Sequence, residues 1–290
     1  MIFAHVHSGP APGRGLTELI AVVAAVLVTV AYLGAARRLR RRGDAWPWWR
    51  DAVFCAGGFA VVWATVGPLP GRPFTTHMVQ HVIVGMAVPF LLVLARPFTL
   101  ALRALAPGPA RRGVIAFARS RPVAWLVFPP LAALVDVGGL WVLYRTPLIA
   151  AVRHEPWLHA LVNAHVLAAG LLFTAAICQL DPVNHRWNVA VRGATLLAAG
   201  AAHGVLAKTL YSVPPPGTAF APADLRAGAQ VMYYGGDLLE AALATVVAAV
   251  WYGAGGRTQQ RRLRRPDGGR EPCALTPATG RKAHPSGQVT

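Results

Sequence analysis

The segment of the chain best suited to chemistry is residues 77–81, HMVQH, in which two histidines stand four residues apart. On an α-helix this spacing projects His77 and His81 from one face with their Cβ atoms about 6 Å apart, close enough to share a metal ion. Imidazoles bind copper, nickel, zinc or iron, and thioethers from Met78 and Met232 would favour cuprous copper. The alternative is structural, with His77 anchoring the end of a helix and His81 hydrogen-bonding a neighbouring helix.

Other histidines inside apolar segments are further candidate ligands. His159 and His165 are six residues apart, about 240° round a helix, so they cannot both face one point, and His165 is the better candidate. His203 lies in the small-residue segment 199–204, where helices can approach closely. A packed, hydrogen-bonded histidine and a metal ligand are equal alternatives at that position.

Two acidic residues and two terminal histidines complete the candidate set. Asp237 could bind the metal or accept a hydrogen bond from the second nitrogen of a ligating imidazole. Glu240 is expected to pair within the protein instead. His5 and His7 alternate near the N-terminus and could capture a metal from solution.

Neither thiolate nor hydrolytic chemistry is indicated. The cysteines Cys55, Cys178 and Cys273 form no CxxC pair, which argues against a disulfide framework and a thiolate zinc site. No HExxH or GxSxG motif stands in or beside an apolar segment. We therefore expect a protein that is not an enzyme.

The composition of the chain indicates that membrane helices position these residues. Hydrophobic residues make up 55% of the 290 and charged residues only 13%, against about 25% charged in an average soluble chain. A soluble enzyme of this size would need more charge to cover its surface. The composition therefore predicts a polytopic membrane protein whose surroundings are the lipid bilayer.

Seven segments are long and apolar enough to cross about 30 Å of hydrocarbon. They are Leu16–Ala36, Asp51–Leu69, Thr75–Ala95, Pro122–Val142, Trp157–Gln179, Asn188–Leu210 and Gly228–Trp251. We predict an all-α bundle of seven transmembrane helices over residues 16–252. An N-terminal segment, 1–15, precedes it, and a tail rich in Arg, Gly, Pro and Thr, 253–290, follows it and is expected to be disordered.

The positions of the basic residues predict how the chain is inserted. A net charge of +17 would suit nucleic acid, but the arginines flank the apolar segments, in runs at 37–42, 111–121 and 261–265. Under the positive-inside rule these runs are cytoplasmic, which places the N-terminus outside and the C-terminus in the cytoplasm. We expect no nucleic-acid partner and a location in the plasma or inner membrane.

With that insertion, the candidate ligands fall at one depth. A rise of about 1.5 Å per residue puts His81, His203 and His165 roughly 9, 10 and 12 Å below the outer surface, and Asp237 roughly 13 Å below it. Ionisable side chains inside a span are costly and point to function. The sequence thus predicts one metal pocket in the outer half of the membrane.

The same segments resemble a known family. HMVQH at 77–81, followed by an apolar run into Ala95-Arg96-Pro97, resembles the HMxxH…P signature of the multi-pass CtaG-type cytochrome c oxidase assembly factors. The exit of the fifth predicted span, 179–182, and the segment 223–237 are also similar to that family. The resemblance covers roughly residues 16–252, the predicted membrane domain.

The resemblance implies help in maturing a haem–copper oxidase, with copper delivery and an oxidase subunit as partner. Copper would then be gathered by His5 and His7, held by His77, His81 and His165, and passed laterally to the oxidase. Imidazole and thioether ligands bind copper while permitting exchange.

Two other functions remain open from the residues. A haem-binding membrane oxidoreductase could use His81 and His165 as axial ligands, but no histidine lies in the inner half of a predicted span. A copper or cation transporter needs polar groups on both sides of the membrane midplane. Only Glu240, Cys55 and Cys178 lie deeper, and no internal repeat is evident.

Overall fold

The computed structural model describes residues 12–182 and 186–263, with side chains described over 15–182 and 186–253. This part of the chain is all-α, as predicted, and contains no strand. The helices are α1 (Pro12–Arg41), α2 (Trp48–Val66), α3 (Pro73–Val82), α4 (Val88–Leu94), α5 (Pro97–Ala104), α6 (Pro109–Ala118), α7 (Arg121–Leu126), α8 (Pro129–Arg145), α9 (Leu148–His154), α10 (Pro156–Cys178), α11 (Val189–Ser212) and α12 (Pro222–Leu263). A π-helical turn, Ile83–Ala87, joins α3 to α4.

Five stretches of helix are long and apolar enough to cross a membrane. They are Gly15–Arg41, Pro73–Ala104, Pro156–Cys178, Val189–Ser212 and Pro222–Gly253. Helices α8 and α9 would make a sixth if they were counted as one span, with a bend of 78° between them. The chain is therefore a multi-pass membrane protein. Helix α2 occupies the predicted second span but is not among the five, so the count of seven stays a prediction, as does the direction of insertion.

The fourth predicted span, Pro122–Val142, is wrong in its bounds. The chain leaves helical geometry at Phe128, whose φ of −67° and ψ of 118° are extended, and α8 begins at Pro129. Pro129 and Pro130 explain this break. Proline disfavours helical geometry in the residue before it and suits the first turn of a helix.

The third predicted span is continuous over residues 73–94 but changes geometry in its middle. The N–H of Val88 donates to the carbonyl of Ile83, five residues back, which is the π-helical pattern. Pro89, in the first turn of α4, has no N–H to offer the carbonyl of Gly85. That carbonyl oxygen lies against Gly170 of α10, where a Cβ would collide with it. Glycine at position 170 therefore permits the close crossing of the two helices.

Two aspartates from later in the chain hold the first turns of earlier helices. Asp224 accepts hydrogen bonds from the backbone N–H groups of Phe74 and Thr75, both at 2.9 Å, and from the Thr75 hydroxyl at 2.6 Å. Asp181 accepts from the Thr99 N–H at 2.9 Å and from its hydroxyl at 2.6 Å. A carboxylate at a helix N-terminus satisfies donors that have no partner within the helix.

Three apolar clusters form the interior of the described bundle. One contains Phe74, Met78, Tyr144, Leu206 and Met232, and a second contains Phe173, Ile177, Leu196, Leu243 and Val247. The third packs α1, α2 and α5 together through Tyr32, Leu39, Phe54 and Leu100. Residues of the first two clusters also line the candidate site, which therefore lies between them.

The chain divides into two compact units, Met1–Ala249 and Val250–Thr290. The second is helical over residues 250–263. The remainder of the predicted tail lies outside the described residues, as do His5 and His7. Their predicted disorder and metal capture stay predictions.

Candidate functional site

A small cavity lies where α3, the π turn, α8, α10, α11 and α12 meet. We call it the chamber. Its volume is ≈ 20 Å³, and its polar lining comprises His81, Asp136, His203 and Glu240. A polar cavity needs about 10–15 Å³ to hold a water molecule, so the chamber has room for one particle of that size. Four ionisable side chains around such a space, within a membrane bundle, indicate a binding site.

His81 and His203 form the centre of the chamber. Their ring centres are 6.2 Å apart, and the rings are tilted by 44°. The two residues are only 7% and 4% exposed, yet the Nε2 atom of each has no hydrogen-bond partner among the described residues. A buried polar atom left unpaired costs roughly 1–3 kcal/mol. Two such atoms in one cavity are therefore unfavourable unless a ligand pairs with them.

Two glycines make the approach of α11 and α12 possible at this level. A Cβ at Gly236 of α12 would collide with the imidazole of His203, and a Cβ at Gly200 of α11 would collide with the carboxylate of Glu240. The Nδ1 atom of His203 consequently lies 3.5 Å from Oε1 of Glu240. The prediction that Glu240 pairs within the protein is thus confirmed, and its partner is His203.

His77 lies one turn before His81 and is held by a tyrosine that the sequence did not suggest. Its Nε2 atom is 3.0 Å from the hydroxyl of Tyr144, which is fully buried. The Tyr144 ring also meets the His81 ring edge to face, with centres 6.3 Å apart. Both histidines of HMVQH therefore share one face, as their spacing predicts. That face meets α8, and one of the two histidines is hydrogen-bonded.

The candidate thioethers lie elsewhere. Met78 and Met232 are fully buried in the apolar cluster around Phe74, and neither is part of the chamber lining. Met86, which follows His81 by five residues, does line the chamber. The sequence pattern favoured Met78 because it is adjacent to His77, whereas the helix geometry turns its side chain toward α12.

His165 and Asp237 are not brought into the chamber. His165 is exposed, and its Nε2 side packs over Gly139 of α8, where a Cβ would lie 2.5 Å from that atom. Asp237 is exposed on the surface of α12. His159 hydrogen-bonds Asn163 at 3.0 Å. The chamber therefore contains fewer of the candidate ligands than their similar depth in the membrane predicted.

Asp136 lines the chamber, whereas His165 and Asp237 do not. The sequence already shows Asp136 as an ionisable residue within an apolar segment, which points to function. Its place in the chamber depends on how α8 is rotated, which the sequence does not state. Over residues 12–182 and 186–263, no group of three or more His, Cys, Asp or Glu side chains is arranged to hold a metal ion. The chamber thus offers two imidazoles and two carboxylates around a cavity, and these groups do not form a ready coordination sphere.

Comparison with known proteins confirms the family that the sequence resembles. The model of the family described as cytochrome c oxidase caa3 assembly factor (Caa3_CtaG) matches residues 30–254. An uncharacterized protein of Mycobacterium leprae is 32% identical over 184 residues, which cover 60% of this chain and 28% of that protein. An uncharacterized protein of Mycobacterium bovis is 33% identical over 172 residues, which cover 56% of this chain and 26% of that protein.

The matched stretch is a little over a quarter of the length of each of these relatives. No solved structure matches the chain. The family match extends from α1 into α12 and includes every described residue of the chamber. This chain belongs to the cytochrome c oxidase caa3 assembly factor family.

Proposed function

We propose that this chain is a non-catalytic assembly factor of the plasma or inner membrane that binds copper in the chamber and assists the metallation of a haem–copper oxidase. The observation that carries the proposal is the pair of buried imidazoles, His81 and His203, whose Nε2 atoms have no partner among the described residues. The family match supports the role in oxidase assembly. Copper and its transfer to an oxidase subunit are the proposed part.

The chemistry of the pair suits a transferable copper ion. Neutral imidazole nitrogens bind copper, and a metal bound by two Nε2 atoms at about 2 Å would place the ring centres roughly 6 Å apart. The observed separation of 6.2 Å is close to this value. Met86 adds a thioether, a ligand that favours the cuprous ion.

Glu240 supports the same use of His203. A ligating histidine usually donates its other ring N–H to a carboxylate, which fixes the tautomer and leaves the second nitrogen free to bind the metal. The 3.5 Å approach of Nδ1 to Glu240 supplies that partner. The carboxylates of Glu240 and Asp136 would also offset the charge of a cation within the membrane.

The other predicted ligands have different roles in the proposed function. His77, bonded to Tyr144, lies on the way to His81. His5, His7 and His165 are proposed to capture copper before it reaches the chamber. Met78, Met232 and Asp237 are not ligands in this proposal.

The proposed membrane arrangement keeps seven spans, with α2 as the second and α8 as the fourth. The N-terminus is outside and the C-terminus is cytoplasmic, because the arginine runs at 37–42, 111–121 and 261–265 then share one side. Copper would consequently enter from the outer side, where α3 begins.

The test is the copper content of the purified protein together with oxidase activity in cells. We expect His81→Ala and His203→Ala to lose copper and to lower oxidase activity. His154→Ala is the matched control, since His154 is an exposed histidine on α9, and it should leave both quantities unchanged. Normal copper in both chamber variants would remove the copper assignment, and reduced oxidase with unchanged copper would leave a scaffold for assembly.

A further inference from the structure

We propose that one face of α12 docks a transmembrane helix of another protein, and that this helix carries an Arg or Lys at the depth of Asp237. The docking face consists of Gln230, Tyr234, Asp237, Ala241, Ala244 and Ala248, all of which are exposed. Their spacing alternates between four and three residues, so they form one stripe along the helix. The inference rests on the proposed function, which makes the partner a subunit of the oxidase.

Asp237 is the residue of the docking face for which an ionic partner is expected. It lies at the middle of the membrane-crossing stretch Pro222–Gly253, and its side chain is exposed. It makes no hydrogen bond or ion pair with the described residues. Ionisable side chains inside a membrane face the bundle interior or a water-filled cavity, or they pair with other groups. A carboxylate directed away from its own bundle is therefore suited to a cation supplied by another chain.

Glu240 shows the contrast on the same helix. It lies three residues after Asp237, faces the chamber and approaches His203 at 3.5 Å. One carboxylate of α12 is thus used inside the chain, whereas the other is directed outward. Helix α12 therefore presents polar groups in two directions at nearly the same depth.

The rest of the docking face fits a helix. Ala241, Ala244 and Ala248 carry small side chains, which let two transmembrane helices approach closely. At the Gln230 end of the docking face, an open groove of ≈ 510 Å³ lies between α11 and α12 and is lined by Lys208, Tyr211, Gln230, Tyr233 and Tyr234. Gln230 and Tyr234 belong to both surfaces, so the groove continues the docking face and can accept a large side chain of the partner.

A second copy of this chain is a poor occupant. Two copies inserted in the same direction would pair about a twofold axis, so the same patch would face itself. That arrangement brings two Asp237 carboxylates together, and like charges repel. A cation on a different chain satisfies the carboxylate, which is why the proposal commits to a basic partner helix.

The test uses the full chain, labelled with a fluorophore at its C-terminus, in vesicles that also contain a labelled polyleucine transmembrane helix. One probe helix carries a single central Arg, and the other carries none. We expect energy transfer to the Arg helix to exceed transfer to the plain helix, corresponding to an association about fivefold tighter. Asp237→Asn and Ala244→Leu should each remove this excess, the first by deleting the charge and the second by blocking close approach.

The matched control is Ala24→Leu, which adds the same bulk at an exposed alanine of α1 and should leave the excess unchanged. Equal transfer to both probes, or an excess that survives Asp237→Asn, would overturn the proposal. Energy transfer between two labelled copies of the chain would also overturn it, if Ala244→Leu abolished that transfer. Because the probe contains no metal and no oxidase, a failure here is distinct from a failure of the copper or assembly assignment.

Discussion

Helices α3 and α12 contribute to two polar regions that differ in how completely their atoms are paired. At the start of both helices, Asp224 accepts three hydrogen bonds from Phe74 and Thr75. Farther along, His81 and His203 each leave a buried Nε2 atom without a partner. A fully paired polar group stabilises the fold, whereas an unpaired one costs free energy. The comparison therefore separates a structural polar group from one kept for a ligand.

The largest effect is expected from breaking the paired region. Asp224→Ala removes the acceptor of two backbone N–H groups and one hydroxyl, so the free energy of unfolding should fall by about 3 kcal/mol. Thermal unfolding in detergent measures this change. Asp44→Ala is the control, since Asp44 forms an exposed pair with Arg103 at 3.3 Å, and exposed pairs contribute about 0–1 kcal/mol. Equal losses in the two variants would show that the Asp224 contact is not the stabilising element.

A smaller effect on affinity is expected from Glu240→Gln. The amide keeps the size of the side chain but removes the charge that lies 3.5 Å from Nδ1 of His203. Losing such a partner of a ligating histidine lowers metal affinity by about tenfold or more. Copper titration of the purified protein measures it, with Glu155→Gln as the control at an exposed glutamate. An unchanged affinity would mean that Glu240 does not orient His203 for binding.

The smallest effect, and the sharpest contrast with Asp224, is expected from His81→Leu. Replacing an unpaired buried imidazole by an apolar side chain of similar size should change the free energy of unfolding by between zero and a gain of about 1 kcal/mol. Copper binding should be lost at the same time. Unfolding must be measured with a chelator present, because bound metal would stabilise the wild type. A clear loss of stability in metal-free protein would assign His81 a structural role.

The sequence predicted the helices better than their rotations. All seven apolar segments contain helix, and the two histidines of HMVQH share one face, because period and length are local properties. The direction in which Asp237 and Asp136 point was not predicted. It depends on contacts such as that of Gly236 with His203, which exist only after two helices have packed.

The ends of the fourth segment and the interior of the third show the same limit. Pro129 and Pro130 were visible in the sequence, yet the predicted span began at Pro122 because the residues on both sides of the two prolines are apolar. The π turn was missed because its cause involves Pro89 together with the neighbouring Gly170, which lies far away in sequence. Tyr144 gave no signal, since a tyrosine near the end of an apolar segment is common at membrane interfaces.

The π turn decides which side chains share the chamber. In a regular α-helix, residues five apart stand about 140° from each other, so His81 and Met86 would point to different neighbours. The turn at Ile83–Ala87 accommodates one more residue per hydrogen-bonded loop, and both side chains reach the same cavity. The imidazole and the thioether are thus brought together by a local irregularity of a single helix, and straightening that helix would separate nitrogen from sulfur without altering either side chain.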